Sequence, residues 1–243
     1  MDIETLPWIE LEDKQAIYQV VDFLPEAPVI IEAGCCAGED TLKMKDLWHD
    51  SIIYCFEPNS LLFDTITTNI ACPPPQFTKS KNVTNIHLSH LALADFVGEK
   101  TFYMSKFMPA ASSFFEDNSI NVVVPDTVLE SLRIEREKYI PSYLDEPVVV
   151  QCTTIDAWRA ENNIGDIDYL WLDTEGAELM ILKGAVETLK KIKVISLEFN
   201  FQYFRKEMAQ FDEVYACLIA NGFKCHVIWR AHKNWQAVGI FIK

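Results

Sequence analysis

Short unbroken apolar runs alternate along the chain with longer stretches whose apolar positions recur every three or four residues, so strands should alternate with helices. Val29, Ile30 and Ile31 form one such run after Pro25 and Pro28. They lead straight into Glu32, Gly34 and Gly38, the pattern of a buried strand feeding a glycine turn. A helix over 40–48 follows. Residues 51–56 predict a second strand, ending in Glu57-Pro58-Asn59, and Leu61, Leu62, Ile66 and Ile70 place a helix over 60–70. Ahead of both, Trp8, Ile9, Ile17, Val20, Val21 and Leu24 predict an opening amphipathic helix within 5–24.

Beyond the Pro73–Pro75 loop, 85–93 reads as a third strand leading to Asp95 and Gly98, and 100–104 as a short return strand. A helix with a polar face is expected over 126–139. It lies inside a 107–143 insertion that also carries Ser112, Ser113 and Phe114 and suits a substrate cap. A strand over 148–154 gives way to Asp156, placed to cap a short helix through Glu161. Residues 167–172 then form a strand ending in Asp173, 175–189 a helix, 194–199 a strand, and 211–220 a helix stopped by Asn221 and Gly222. Segments 223–230 and 235–242 flank 231–234 as a terminal antiparallel hairpin. The expectation is a single α/β domain over 1–243, a mostly parallel doubly wound sheet closed by a C-terminal antiparallel hairpin.

Charge narrows the partners. A formal net charge of −15 opposes a phosphate backbone, whose binding depends on clustered Lys and Arg, so nucleic acid is not expected as substrate. No run reaches the roughly 18 apolar residues that span a bilayer. The first twelve residues are acidic where a signal peptide would be basic and then apolar, so a cytoplasmic protein without a membrane partner is expected. Seven Cys with no CxxC pair argue for free, mostly buried thiols rather than a zinc site.

In doubly wound sheets ligands bind beyond the carboxyl ends of the strands, near the point where strand order reverses. The turn Glu32-x-Gly34-x-x-x-Gly38 stands there, its glycines leaving room for a ligand against the backbone. It lacks the Gly-x-Gly-x-x-Gly that seats a pyrophosphate on a helix N-terminus. Glu32 would repel a diphosphate yet suit the ammonium of a methionine moiety, which favours S-adenosylmethionine over NAD. Glu57, at the end of the second strand, is placed to accept hydrogen bonds from ribose hydroxyls.

With these residues in view the chain resembles the FkbM family of methyltransferases over roughly 29–199. The likeness rests on Ile31-Glu32-Ala33-Gly34 with Gly38, on Cys55-Phe56-Glu57-Pro58-Asn59, and on His90-Leu91-Ala92-Leu93-Ala94-Asp95 with Gly98. Its most specific part is Leu172-Asp173-Thr174-Glu175-Gly176-Ala177-Glu178 with Leu182-Lys183-Gly184-Ala185, and Thr154-Ile155-Asp156 and Leu197-Glu198 match in place. The resemblance implies a Rossmann-like class I methyltransferase fold, S-adenosylmethionine as donor, and a hydroxyl acceptor on a sugar or small metabolite. It puts Glu32, Gly34, Cys35 and Gly38 at the methionine end of the donor, Glu57 at the ribose, Pro58 and Asn59 on the adenine side, and the Ala92 backbone at the adenine edge. Cys35-Cys36-Ala37 stands where many relatives have Ala-Asn, and Trp171 where they often have Lys.

Methyl transfer is an in-line displacement that must also find a place for the acceptor's proton. Asp173, at the end of its strand beside the cofactor turn, is the first candidate to orient or deprotonate the acceptor, with Glu175 and Glu178 close by. His90 is a further candidate base because its pKa lies near neutrality. Asp173 with Glu198 and Asn200 around a divalent cation is a secondary reading. Two rivals stand beside the enzyme reading: a cofactor-binding partner protein without catalysis, which the Asp173 cluster opposes, and an NAD-dependent oxidoreductase, which Glu32 opposes. The aromatic and polar mix of 107–143 suits a small amphipathic acceptor such as a sugar or a glycosylated metabolite.

Overall fold

The computed structural model describes residues 8–9, 13–75, 83–106, 108–118, 145–201, 205–232 and 236–243. The central strands are β2 (Val29–Ala33), β3 (Ile52–Phe56), β4 (Ile86–Ser89), β8 (Tyr169–Leu172) and β9 (Val194–Asn200). The hairpin β10 (Lys224–His232) and β11 (Gln236–Ile242) extends them, and β1 (Trp8–Ile9) stands at one edge. Their order is β1-β10-β11-β9-β8-β2-β3-β4. β2 pairs parallel with both β3 and β8, so strand order reverses beside β2, where a ligand crevice forms in such sheets. β11 runs antiparallel to β9 and β10, as the hairpin pattern predicts.

The mostly apolar central strands follow from a sheet covered on both faces. Alternate residues point to opposite sides: Ile31, Ala33, Leu170, Leu172 and Ile195 join one core, and Ile30, Ile53, Cys55, Tyr169 and Val194 the other. Glu32 shares the face of Ile30 and Cys55, which explains why a carboxyl group lies in that core. Trp171 is buried on the same face, edge-on to Tyr169 with ring centroids 6.4 Å apart, so it fills packing space rather than the site. Helices α1 (Glu39–Leu47), α2 (Ser60–Ala71), α3 (Ile155–Glu161), α4 (Glu178–Lys183), α5 (Val186–Leu189) and α6 (Phe211–Ala220) provide the crossovers and cover. Among the described residues no helix is long and apolar enough to cross a membrane.

Several expectations are corrected. Trp8 and Ile9 pair in parallel with Ile228 and Trp229, so they extend the sheet and do not start a helix. The helical part is a 3₁₀ segment, Asp13–Phe23, whose buried Ile17 and Val20 sit three apart, the spacing that eclipses side chains in a three-residue turn. The strand expected over 85–93 divides at His90-Leu91. Ala92–Leu93 (β5) leaves the main sheet and pairs with β7 (Asp145–Thr153), which also receives β6 (Gly98–Ser105), forming a separate three-stranded sheet. The helix expected over 175–189 begins only at Glu178 and is interrupted at Gly184, where a Cβ would lie 2.0 Å from the Ala94 carbonyl oxygen. Thr154, rather than Asp156, caps α3, accepting from the Ala157 amide at 3.0 Å. Asp156 reaches across to the start of α5 and accepts from the Glu187 and Thr188 amides at 2.7 and 2.9 Å. The helix expected over 126–139 lies outside the described residues.

Candidate active site

The turn after β2 is built by opposing backbones. Gly34 takes φ +79°, and a Cβ there would lie 1.8 Å from the Asp173 carbonyl oxygen, so only glycine lets the ends of β2 and β8 meet this closely. The Gly34 and Cys35 amides both donate to the Phe56 carbonyl, at 3.0 and 3.3 Å, joining the turn to β3. Glu57, just past β3, is 4% exposed and locks the same corner: Oε2 accepts from the Cys36 amide at 2.9 Å and Oε1 from the Asn59 amide at 2.8 Å. Burial pushes the Glu57 carboxyl up to about 7 against the pull of those two donors. Asn59 caps α2 through the Leu61 amide and donates to Ser112 Oγ at 3.1 Å, tying segment 108–118 down over the strand ends.

Beneath that segment lies a cleft lined on its apolar side by Phe56, Leu62, Leu91, Leu93, Phe102 and Phe114 and on its polar side by Glu57, Ser112, Asp173 and Glu175. It shares Gly34, Cys36, Ala110, Asp173 and Glu175 with a neighbouring space that reaches Glu32, Cys35, Glu39 and Asp40. An apolar chamber with a few convergent polar groups, opening into an acidic one, has the character of a small-molecule site.

The residues following β8 form a strained acidic loop. Glu175 has φ +54° and Gly176 φ +105°. Buried Glu178 holds the loop in shape, accepting from the Thr174 amide at 2.9 Å and the Thr174 hydroxyl at 2.8 Å. Asp173 is solvent-exposed at the cleft. Desolvation by the protein packed around it, with the charges of Glu175, Asp40, Glu178 and Glu57, pushes its carboxyl up. Burial likewise raises Glu175, to about 7, with the Arg205 guanidinium pulling the other way. Glu32 is buried and raised by burial and by Cys55, although the Thr41 hydroxyl donates to it at 2.5 Å.

A family model described as the methyltransferase FkbM domain matches residues 32–225, most of the chain. The chain belongs to the FkbM methyltransferase family. It is thus an S-adenosylmethionine-dependent methyltransferase, as its turn and carboxylates led us to expect. Among curated proteins it is similar to the 2-O-methyltransferase NoeI of Sinorhizobium fredii, 26% identical over 185 residues that cover 76% of this chain and 68% of that protein. It is also similar to Methyltransferase 1 of Beauveria bassiana, 27% identical over 175 residues, 69% of this chain and 61% of that one. Among solved structures, magnesium protoporphyrin IX methyltransferase from Synechocystis PCC 6803, with bound SAM, aligns over 95% of this chain and 77% of its own, with a TM-score of 0.51 and 9% identity. That likeness speaks to the fold alone.

In this FkbM chain the expected site residues do not all reach the cleft. Glu32, Gly34, Cys35, Glu57, Pro58, Ala92, Asp173 and Glu175 line the two spaces. Gly38 and Asn59 stand behind the lining: Gly38 (φ +85°) starts α1 against Ile66, and Asn59 is spent on capping and on Ser112. His90 is turned away, its ring stacked on Phe63 with centroids 4.7 Å apart and Nε2 3.1 Å from the Pro58 carbonyl oxygen. Asp173, Glu175 and Glu198 bring carboxylate oxygens within 4.8 Å of one another.

Arg205 is the residue that sequence reasoning missed. Its side chain is 1% exposed. It binds Asp145 at 2.6 Å and donates to the Phe115 and Ala111 carbonyls, clasping segment 108–118 to the start of β7. A lone arginine in a stretch without periodicity carries no local signal of such a role.

Proposed function

We propose that this protein transfers the methyl group of S-adenosylmethionine to a hydroxyl of a sugar or other small neutral metabolite. One observation carries the reading: an apolar chamber and a carboxylate-lined chamber meet at Asp173 and Glu175, at the strand reversal of the sheet. The similarity to the Sinorhizobium 2-O-methyltransferase supports an oxygen acceptor.

In this reading the Gly34 turn and Glu32 hold the methionine end, Glu57 the ribose, and Pro58 with the Ala92 backbone the adenine side. The donor supplies an electrophilic methyl carbon. The chain's own residues hold the acceptor in line with it, exclude bulk water, and take up the acceptor's proton. Asp173 orients the acceptor hydroxyl and Glu175, its carboxyl near neutrality, receives the proton. Segment 107–143 acts as the acceptor-side cap of a single domain. Incubation with methyl-labelled S-adenosylmethionine and a panel of glycosides, polyols, amines and carboxylic acids tests this. Label in a base-stable ether supports the proposal, and label confined to amines or esters sinks it.

A second reading is favoured by the grouping of Asp173, Glu175 and Glu198, which offers oxygens suited to a divalent cation that would lower the acceptor's pKa. Loss of transfer on chelation, restored by Mg²⁺, would support it, and activity indifferent to the chelator would remove it.

A further inference from the structure

Glu175 stands on neither a strand nor a helix. It occupies the turn between β8 and α4 at φ +54°, a conformation uncommon for a residue with a Cβ, and Gly176 follows at φ +105°. Such a turn keeps its shape only if its surroundings hold it. Two neighbours distant in sequence do so. The Ser113 hydroxyl donates to the Glu175 carbonyl at 2.8 Å, and Met208 lies over Gly176, where a Cβ would come 3.0 Å from the Met208 Cβ.

Both neighbours are set by Arg205. On one side its guanidinium donates to the carbonyls of Ala111 and Phe115 while paired with Asp145, and the Phe115 amide donates to Ser113 Oγ at 3.1 Å, which fixes the direction of the Ser113 hydroxyl. On the other side the Arg205 amide donates to the Met208 sulfur at 3.2 Å. The main chain joins the two segments as well: Arg205 bridges Asp117, and the Lys206 amide donates to the Glu116 carbonyl at 2.9 Å. Only a planar fork of donors serves Asp145 and two carbonyls together, so Lys cannot replace it.

Resting on the role proposed above for Glu175, we infer that Arg205 is a positioning residue for methyl transfer: it seats Ser113 and Met208 on the Glu175–Gly176 turn and so holds the proton-receiving carboxyl in place. Arg205 lines neither chamber, so it acts through these neighbours and touches neither substrate. The donor walls keep ties of their own. Ser112 Oγ accepts from Asn59 at 3.1 Å and from the Ser105 amide at 3.0 Å, and Ser113 exchanges backbone bonds with Tyr103 at 2.7 and 3.1 Å. Loss of the Arg205 fork therefore falls on the transfer step more than on donor binding, because a displacement of about 1 Å at a reacting group costs up to about 100-fold in rate.

Arg205→Lys, Ser113→Ala and the double variant test this in the full chain. Turnover is measured with methyl-labelled S-adenosylmethionine and the glycoside that accepts the label, donor affinity by calorimetry, and folding by the urea transition. Arg205→Lys should lower kcat at least about tenfold and Ser113→Ala at least about fivefold, while the Kd of S-adenosylmethionine and the acceptor KM stay within about threefold. Because both act along one path, the double variant should be no slower than Arg205→Lys to within about twofold. Unchanged kcat, losses that multiply in the double variant, or kcat and donor affinity falling by the same factor would overturn the inference. Where Arg205→Lys does not fold, Ser113→Ala decides alone by the same split between kcat and Kd. An unaltered chain that labels no hydroxyl would remove the role of Glu175 itself, an outcome distinct from normal turnover in the variants.

Discussion

Replacing Glu57 with Gln tests whether a buried carboxyl at the end of β3 is held against its own ionisation. The native pKa of about 7 lies above the ordinary value of 4.5. Between those two values the folded protein therefore binds more protons than the unfolded chain, and stability falls as pH rises through this window. A shift of this size corresponds to about 3 kcal/mol lost between pH 4.5 and pH 7.5. The group is almost fully buried, so solvent screening reduces this little. Gln cannot ionise, but it has one carbonyl oxygen for the two amides of Cys36 and Asn59 that Glu57 now satisfies. The unmet amide costs about 1–3 kcal/mol at every pH. Urea unfolding of both proteins from pH 5 to pH 8 should therefore show the variant clearly weaker at pH 5 and the difference narrowing by about 3 kcal/mol at pH 8. The raised carboxyl of Glu175 is present in both proteins and largely cancels. Parallel curves, with a difference independent of pH, would refute the reasoning.

Further outcomes follow from the same geometry. Gly34→Ala forces a Cβ against the Asp173 carbonyl at a positive φ, so donor affinity should fall at least about 100-fold by calorimetry. Gly38→Ala meets only the Ile66 side chain and should fall less. Arg205→Met leaves the Asp145 carboxylate buried without its partner and should cost about 3–5 kcal/mol in chemical denaturation, with a Asp145→Asn second change recovering part of it. Asp156→Ala removes the bonds joining α3 to α5 and should cost about 1–2 kcal/mol. Thr154→Ala, which frees only the cap of α3, should cost about 1 kcal/mol in the same assay.

The sheet was legible because its strands are buried on both faces and their apolar runs end at punctuating residues: Glu32 with Gly34, Glu57 with Pro58, Asp173. Local rules failed where a contact distant in sequence decides the backbone. Gly184 reads as one weak position inside a helix, yet its approach to the Ala94 carbonyl divides that helix. Ala92 and Leu93 look like the end of a strand, and only Cys152 and Thr153 draw them into the second sheet. At the site, the carboxylates at strand ends could be found because strand ends face the crevice. The direction of the His90 ring depends on Phe63 and on the Pro58 carbonyl, and the burial of Arg205 depends on Asp145, 60 residues away.

The measurement closest to the central claim is calorimetric titration of the chain with S-adenosylmethionine, beside a Glu57→Ala variant shown to be folded by its thermal transition. The cleft described here predicts one site of micromolar affinity in the unaltered chain, weakened at least about tenfold in the variant. Absence of binding in folded protein, or binding that the variant leaves unchanged, would contradict it.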